Sequence, residues 1–203
     1  MSRCRFLEAW HSRDMRFWSI FSLASATLLA LTLAAPASAH QPVELGPSDS
    51  TPAKGPLLVD GTVSFAVYTD VRRGDRRGFR FRLEEGDRMA VQLLILDEPP
   101  SNKVRSSRLP RVTITDPQGR KTRMVINERT EFYEPYGGTN FLYLSRLESD
   151  AVPGEYRVSV SARSKREVEA VIAVGYREVR GEVRQGRWMR LDTLESHDAK
   201  INP

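Results

Sequence analysis

Histidine is the side chain best suited to hold a transition metal or move a proton near neutral pH. This sequence carries three, and two of them, His40 and His197, lie beyond the amino-terminal apolar stretch. His40 directly follows AAPASA, with Ala37 and Ala39 at the minus-three and minus-one positions of a secretory cleavage site. Cleavage there would leave a free amine on His40, and an amine next to Nδ1 chelates Cu(II), which favours a tetragonal nitrogen set. A site built on that chelate needs a second imidazole, and His197 in the polar carboxy-terminal stretch is the one available. A site relying on a third-position histidine is excluded, because that position is Pro42, which also lacks an amide N–H. Met89 and Met124 could donate sulfur but are of a type that fills cores. Two readings stand: a copper site on His40 and His197, or an extended arm that begins with histidine and needs no cofactor.

Catalysis has less to work with. There is no G-x-S-x-G elbow, no H-E-x-x-H, no G-x-x-x-x-G-K-[ST] and no G-x-G-x-x-G in the chain. Glu84 with Glu85, or Glu131 with Glu134, are carboxylate pairs of a kind any acidic chain contains, and acid/base work depends on their spatial separation. The expectation is a non-catalytic protein.

Three other groups of residues have binding chemistry. Arg72, Arg73, Arg76 and Arg77 crowd one turn, with Arg80 and Arg82 on the strand after it. They could hold an anionic envelope polymer or phosphate groups, or Arg80 and Arg82 could be the solvated side of a strand whose other side carries Phe79 and Phe81. Arg73-Gly74-Asp75 within that run is a tripeptide that recurs by chance. EFYEPYGGTN, from Glu131 to Asn140, sets Phe132, Tyr133, Glu134 and Tyr136 in one loop. Aromatic faces beside carboxylates suit a sugar or peptide ligand, or the rings could form a flap closing one end of the fold.

The elements that must position these groups come next. Phe17 to Ala34 is an uncharged apolar run behind Arg13 and Arg16 and ahead of the small-residue site, the order of a secretory signal. Residues 1–39 are read as that signal, with Met15 a second candidate start. Retention of the leader as an anchor is the other outcome. The lone cysteine, Cys4, falls inside the leader, so the 164 residues from His40 onward contain no thiol. The leader carries Arg3, Arg5, Arg13 and Arg16 against Glu8 and Asp14, so its removal lowers the formal net charge from +5 to +3. That balance gives no footprint for nucleic acid. No second apolar run is long enough to cross a bilayer as a helix.

Residues 40–60 are rich in Pro, Ser and Gly and read as an extended arm. Beyond them the apolar period is two. Val63, Phe65 and Val67 share one side of Thr62 to Thr69, and Phe79, Phe81 and Leu83 one side of Gly78 to Leu83. MAVQLLIL, from Met89 to Leu96, reads as buried on both sides. Val112 to Ile114, Met124 to Ile126, Phe141 to Leu147, Tyr156 to Ala162 and Val168 to Val174 complete about eight strands, with turn types at Asp116-Pro117-Gln118-Gly119 and Val152-Pro153-Gly154. The prediction is an all-β, single antiparallel β-sandwich of jelly-roll type over residues 61–178, followed by a polar tail, 179–203, helical if anywhere from Gly186. Phe65, Phe81, Leu93, Ile114, Tyr156 and Val158 are its expected core.

A strand ending in E-G-D, then D-P-x-G, then P-G-E-Y-R-V-S-V resembles the bacterial pre-peptidase C-terminal type of β-sandwich over roughly Gly61 to Gly175. The insert before Leu109 and the EFYEPYGGTN stretch depart from it. The resemblance implies a non-catalytic accessory or binding module of the cell envelope or extracellular space and transfers no catalytic residue. A mature amino-terminal His with Ser50-Thr51-Pro52-Ala53 some ten residues on is similar to periplasmic copper carriers of the CopC type, although that type has an interior His late in the sandwich and none occurs here from Gln41 to Ser196. These features together predict a secreted or periplasmic binding or accessory protein whose partner is an envelope polymer, carbohydrate or protein. A copper-binding protein and a structural envelope protein without a small ligand are the alternatives.

Overall fold

A computed structural model describes residues 40–134 and 138–188. Strands dominate it: β1 (Gln41–Glu44), β2 (Leu57–Leu58), β3 (Phe65–Val71), β4 (Arg76–Leu83), β5 (Arg88–Leu96), β6 (Arg111–Thr115), β7 (Lys121–Arg123), β8 (Thr130–Glu134), β9 (Thr139–Asp150), β10 (Gly154–Ser161), β11 (Val168–Val174), β12 (Val183–Arg184) and β13 (Arg187–Trp188). Two single-turn 3-10 segments, Ser101–Lys103 and Ser106–Arg108, occupy the insert before Leu109. The strands form a seven-stranded sheet in the order β13-β1-β3-β11-β5-β9-β8 and a six-stranded sheet in the order β12-β2-β4-β10-β6-β7.

The period-two pattern explains how the two sheets meet. On β4, Phe79, Phe81 and Leu83 are buried, and their opposite numbers on β10, Val158, Tyr156 and Gly154, sit across the ladder from them. Leu93 and Ile95 of β5, Phe65 and Val67 of β3 and Ile172 of β11 supply the facing layer of the same cluster. All six expected core residues are buried, and Met89 and Met124 fill the core. Arg82 is exposed on the far side of β4, and Glu155 on β10 lies 3.7 Å from Arg80 and 3.6 Å from Arg82.

The fold is the expected all-β sandwich, with four corrections. It is not purely antiparallel: β1 runs parallel to β3, and β2 runs parallel to β4. Parallel neighbours need a crossover connection, and the chain provides it by changing sheets twice. From β1 it passes to β2 in the other sheet before returning as β3, so β1 and β3 point the same way. Residues 40–60 are extended but are no free arm, since they supply β1 and β2. Gly78 makes the docking possible: its N–H donates to the Asp49 carbonyl at 2.7 Å, and a Cβ there would lie 2.4 Å from the Pro52 nitrogen. The strand expected at Met124 to Ile126 ends at Arg123 instead; Met124 keeps one ladder bond, to the Val112 carbonyl at 3.1 Å, while Val125 is exposed. Of the tail, Val183–Arg184 and Arg187–Trp188 pair as strands with β2 and β1, and the rest lies outside the described residues.

Candidate functional site

A sheet that covers a core on one side ordinarily alternates apolar-in and polar-out. The seven-stranded sheet departs from this in its middle. One rung on its outer side runs Tyr68, Val171, Leu94, Tyr143 and Thr130 across β3, β11, β5, β9 and β8. Next to it lie Leu96, Phe141 and Phe132, and on the other flank the small Ala66 and Ala173. Ala66, Leu94, Leu96, Phe141, Val171 and Ala173 form a second buried cluster, separate from the main core, with Tyr68, Phe132 and Tyr143 packed half-buried against it. This is why MAVQLLIL reads as buried on both sides: Leu93 and Ile95 face inward, Leu94 and Leu96 outward.

The aromatic rings contact one another at unstacked angles typical of such clusters. Phe132 and Tyr143 are 5.2 Å apart between centroids at 49°, and Tyr68 and Phe141 are 6.5 Å apart at 63°. The Arg146 guanidinium stands 4.0 Å over the Tyr143 ring and 3.4 Å from Glu128, a cation–π contact tied down by an ion pair.

His40 joins this group from the start of β1. Its Nδ1 meets the Ser64 hydroxyl, and the imidazole lines a crevice with Phe132, Glu134, Tyr143, Tyr68 and Leu94. The crevice holds about 20 Å³, the space of little more than one water. Burial keeps the His40 imidazole below its ordinary range, against the opposing pull of the Glu134 and Glu178 carboxylates. Burial also raises the Tyr68 phenol, helped by Glu134 and Glu169, so its hydroxyl stays protonated and can donate. The Tyr143 phenol is raised by burial too, with Arg146 opposing and Glu128 assisting.

Tyr68 also lines a larger cleft of about 550 Å³ that opens beside the crevice. Glu44, Asp70, Asp75, Glu167 and Glu169 line it together with Arg72 and Arg77, so carboxylates outnumber guanidiniums there.

The residues singled out in the sequence distribute as follows. Phe132 and Glu134 come together with His40, although 92 residues separate His40 from Phe132 in the chain. They sit on strand β8 rather than in a loop, because Thr130 to Glu134 pairs with Thr139 to Tyr143. Tyr133, on the same strand, points away and is 57% exposed. Tyr136 and His197 lie outside the described residues. Among the arginines, Arg72, Arg73 and Arg76 are exposed, whereas Arg77 is buried, donates to the Arg76 carbonyl at 2.9 Å and lies 3.9 Å from Asp75. Arg73-Gly74-Asp75 belongs to the turn between β3 and β4, closed by the Asp75 N–H to the Arg72 carbonyl at 2.9 Å and the Arg72 N–H to the Asp75 carboxylate at 3.0 Å. Among the described residues no group of three His, Cys, Asp or Glu side chains is placed to hold a metal ion, and no helix is long and apolar enough to cross a membrane.

Tyr68, Tyr143 and Arg146 were not singled out by their types and spacing. Their signal is present in the pattern, as aromatic residues on the outward-facing positions of strands whose inward positions are already apolar.

No family model and no curated protein sequence matches the chain. Among solved structures it is similar to a periplasmic lysozyme inhibitor of g-type lysozyme from Aeromonas hydrophila, PliG, at a TM-score of 0.34 and 11% sequence identity, covering 68% of this chain and 96% of that one. An overlap of that size carries no functional argument.

Proposed function

We propose that the protein is an exported, non-catalytic binding protein and that its ligand surface is the outer side of the seven-stranded sheet. The observation that carries this reading is the gathering of His40, Tyr68, Phe132 and Tyr143 over an apolar stretch of a sheet side that sequence physics would make polar. Export is supported by the charged, apolar and small-residue order of residues 13–39. A binding role rather than a catalytic one is supported by the geometry at hand: the hydroxyl that meets the His40 imidazole, Ser64, is buried beneath it, away from a substrate's reach, while the aromatic faces and protonated phenols around it can recognise a surface.

The partner that fits is a polypeptide whose contact carries basic and aromatic or aliphatic side chains together. The rings of Tyr68, Phe132 and Tyr143 offer apolar area, and the adjoining cleft offers an acidic rim. Titration of isotope-labelled exported protein with a short Lys/Trp peptide, against an equal-length Glu/Trp peptide, tests this. The basic peptide should shift the amides of Tyr68, Val171, Leu94 and Tyr143, and Tyr68→Ala should weaken the effect. Equal responses to both peptides, or shifts confined to β4, β6 and β10, would refute it.

A further inference from the structure

A sheet edge exposes a row of backbone donors and acceptors, and proteins ordinarily blunt it with short strands, lysines, prolines or bulges. Three of the terminal strands here follow that rule. β12 and β13 are two residues long, and β7 is three residues, Lys-Thr-Arg. β8 does not: it has five residues, Thr-Glu-Phe-Tyr-Glu, contains no lysine or proline, pairs with β9 without a bulge, and has that single neighbour among the described residues.

The direction of its free backbone groups follows from one hydrogen bond. The Asp97 N–H donates to the Asn140 carbonyl at 2.8 Å, which turns the backbone of Asn140 toward β5 and away from β8. Antiparallel pairs alternate along a ladder, so Tyr133, opposite Asn140, is a non-hydrogen-bonded partner, and Phe132, opposite Phe141, is a bonded one. The N–H and C=O of Glu131 and Tyr133 therefore point outward from the sheet.

We infer that β8 pairs antiparallel with β8 of a second copy of this chain, about a two-fold axis at Phe132. In that register Glu131 faces the partner's Tyr133, so the outward-pointing backbone groups of both residues meet and bond. Phe132 then faces the partner's Phe132 as a non-hydrogen-bonded pair, the closer kind, in which aromatic side chains interact best. Thr130 faces the partner's Glu134, and no carboxylate opposes another. The symmetric register shifted one way sets Glu131 against the partner's Glu131, which like charge disfavours. The one shifted the other way leaves the outward groups of Glu131 without a counterpart on β8. The strand is thus self-complementary in one register, as an isologous contact requires. The pairing extends both outer faces into one surface, with Phe132 of each copy beside Tyr143 of its own and the partner's Phe132.

The prediction is independent of what the outer face binds. Sedimentation of the exported protein over a concentration series should show a monomer–dimer equilibrium. Tyr133→Pro removes an outward N–H that no described residue accepts from, so it should leave the thermal midpoint near that of the parent while abolishing the dimer. Glu131→Pro should do the same by the same argument. Phe132→Cys, in a chain with no other thiol after residue 39, should crosslink two copies on mild oxidation, because non-hydrogen-bonded antiparallel positions meet disulfide distances. Tyr133→Cys should crosslink far less. A parent protein that stays monomeric at every concentration, a dimer that survives Tyr133→Pro in a folded protein, or equal crosslinking at both cysteine positions would overturn the inference.

Discussion

Phe81→Ala is the sharpest test of how the two sheets meet. Phe81 is fully buried on β4, stacked on Tyr156 of β10 with centroids 4.9 Å apart and planes at 4°. Opposite it in the same sheet lies Leu58 of β2. Removing the ring forfeits its burial and leaves a cavity, a loss of about 3–5 kcal/mol, which includes about 0.5–1.5 kcal/mol of ring-on-ring contact. For a domain of this size each kcal/mol is worth roughly 2–4 °C, so the midpoint should fall by roughly 6–20 °C. Arg82→Ala, one residue on and exposed, should change stability by no more than about 0.5 kcal/mol. Urea unfolding followed by circular dichroism measures both, with the slope checked for constancy. A Phe81→Ala cost below about 1 kcal/mol at unchanged slope would mean that β4 presents its arginines to the core, and the whole face assignment would fail.

Other expected outcomes follow from local features. Gly78→Ala drives a Cβ into the backbone of Thr51 and Pro52, so it should cost about 1–3 kcal/mol as overpacking and speed proteolysis between residues 47 and 56; unchanged protection there would mean that the segment is not docked. His40, held below its ordinary range by burial, is charged more readily in the unfolded chain, which binds the extra proton. Stability should therefore decline as pH falls below about 6.5 toward the folded-state value, with His40→Gln flattening that decline; an imidazole signal that titrates above 6.5 would contradict it. Mass spectrometry of the exported protein should find His40 at the amino terminus, and recovery of an intact leader in membranes would remove the free amine on which any copper chelation depends. Given that amine, Cu(II) binding should be weak, lost when His40 is blocked and indifferent to His197→Ala; tight binding sensitive to both would make this a copper protein.

How much of this was legible depended on whether the information was local. β4, β5, β10 and β11 could be read because burial on a sheet repeats every second residue, and Phe79 and Phe81 announce it within six positions. The turn at Asp116 could be read because its side chain accepts from the N–H groups of Gln118 and Arg120, both at 2.9 Å, a bond within five residues. β1 and β2 could not, since Gln41-Pro42-Val43-Glu44 and Leu57-Leu58 are too short to show a period, and their partners lie 23 to 24 residues downstream. β8 was hidden because Glu131 and Tyr133 face water at the sheet's edge and break the alternation. The crevice around His40 was the least legible of all. His40 and Glu134 were each visible as chemistry, but their meeting depends on β1 and β8, with four strands between them in the same sheet, sharing its outer side.

The pairing of β12 with β2 and of β13 with β1 has a kinetic meaning. On one flank, both sheets finish in strands from opposite ends of the described chain: β1 and β2 come from residues 41–58, and β12 and β13 from residues 183–188. A chain emerging amino terminus first releases β1 and β2 early but the strands that cover them last. Loops of well over a hundred residues must close before those outer pairs form, and such long-range contacts are slow to gain. Until then β1 and β2 are themselves open edges, in the period when a newly made chain is most prone to wrong pairing. The segment from Val183 to Trp188 thus acts as a latch on that flank, and a chain cut before Val183 would leave β1 and β2 without these partners.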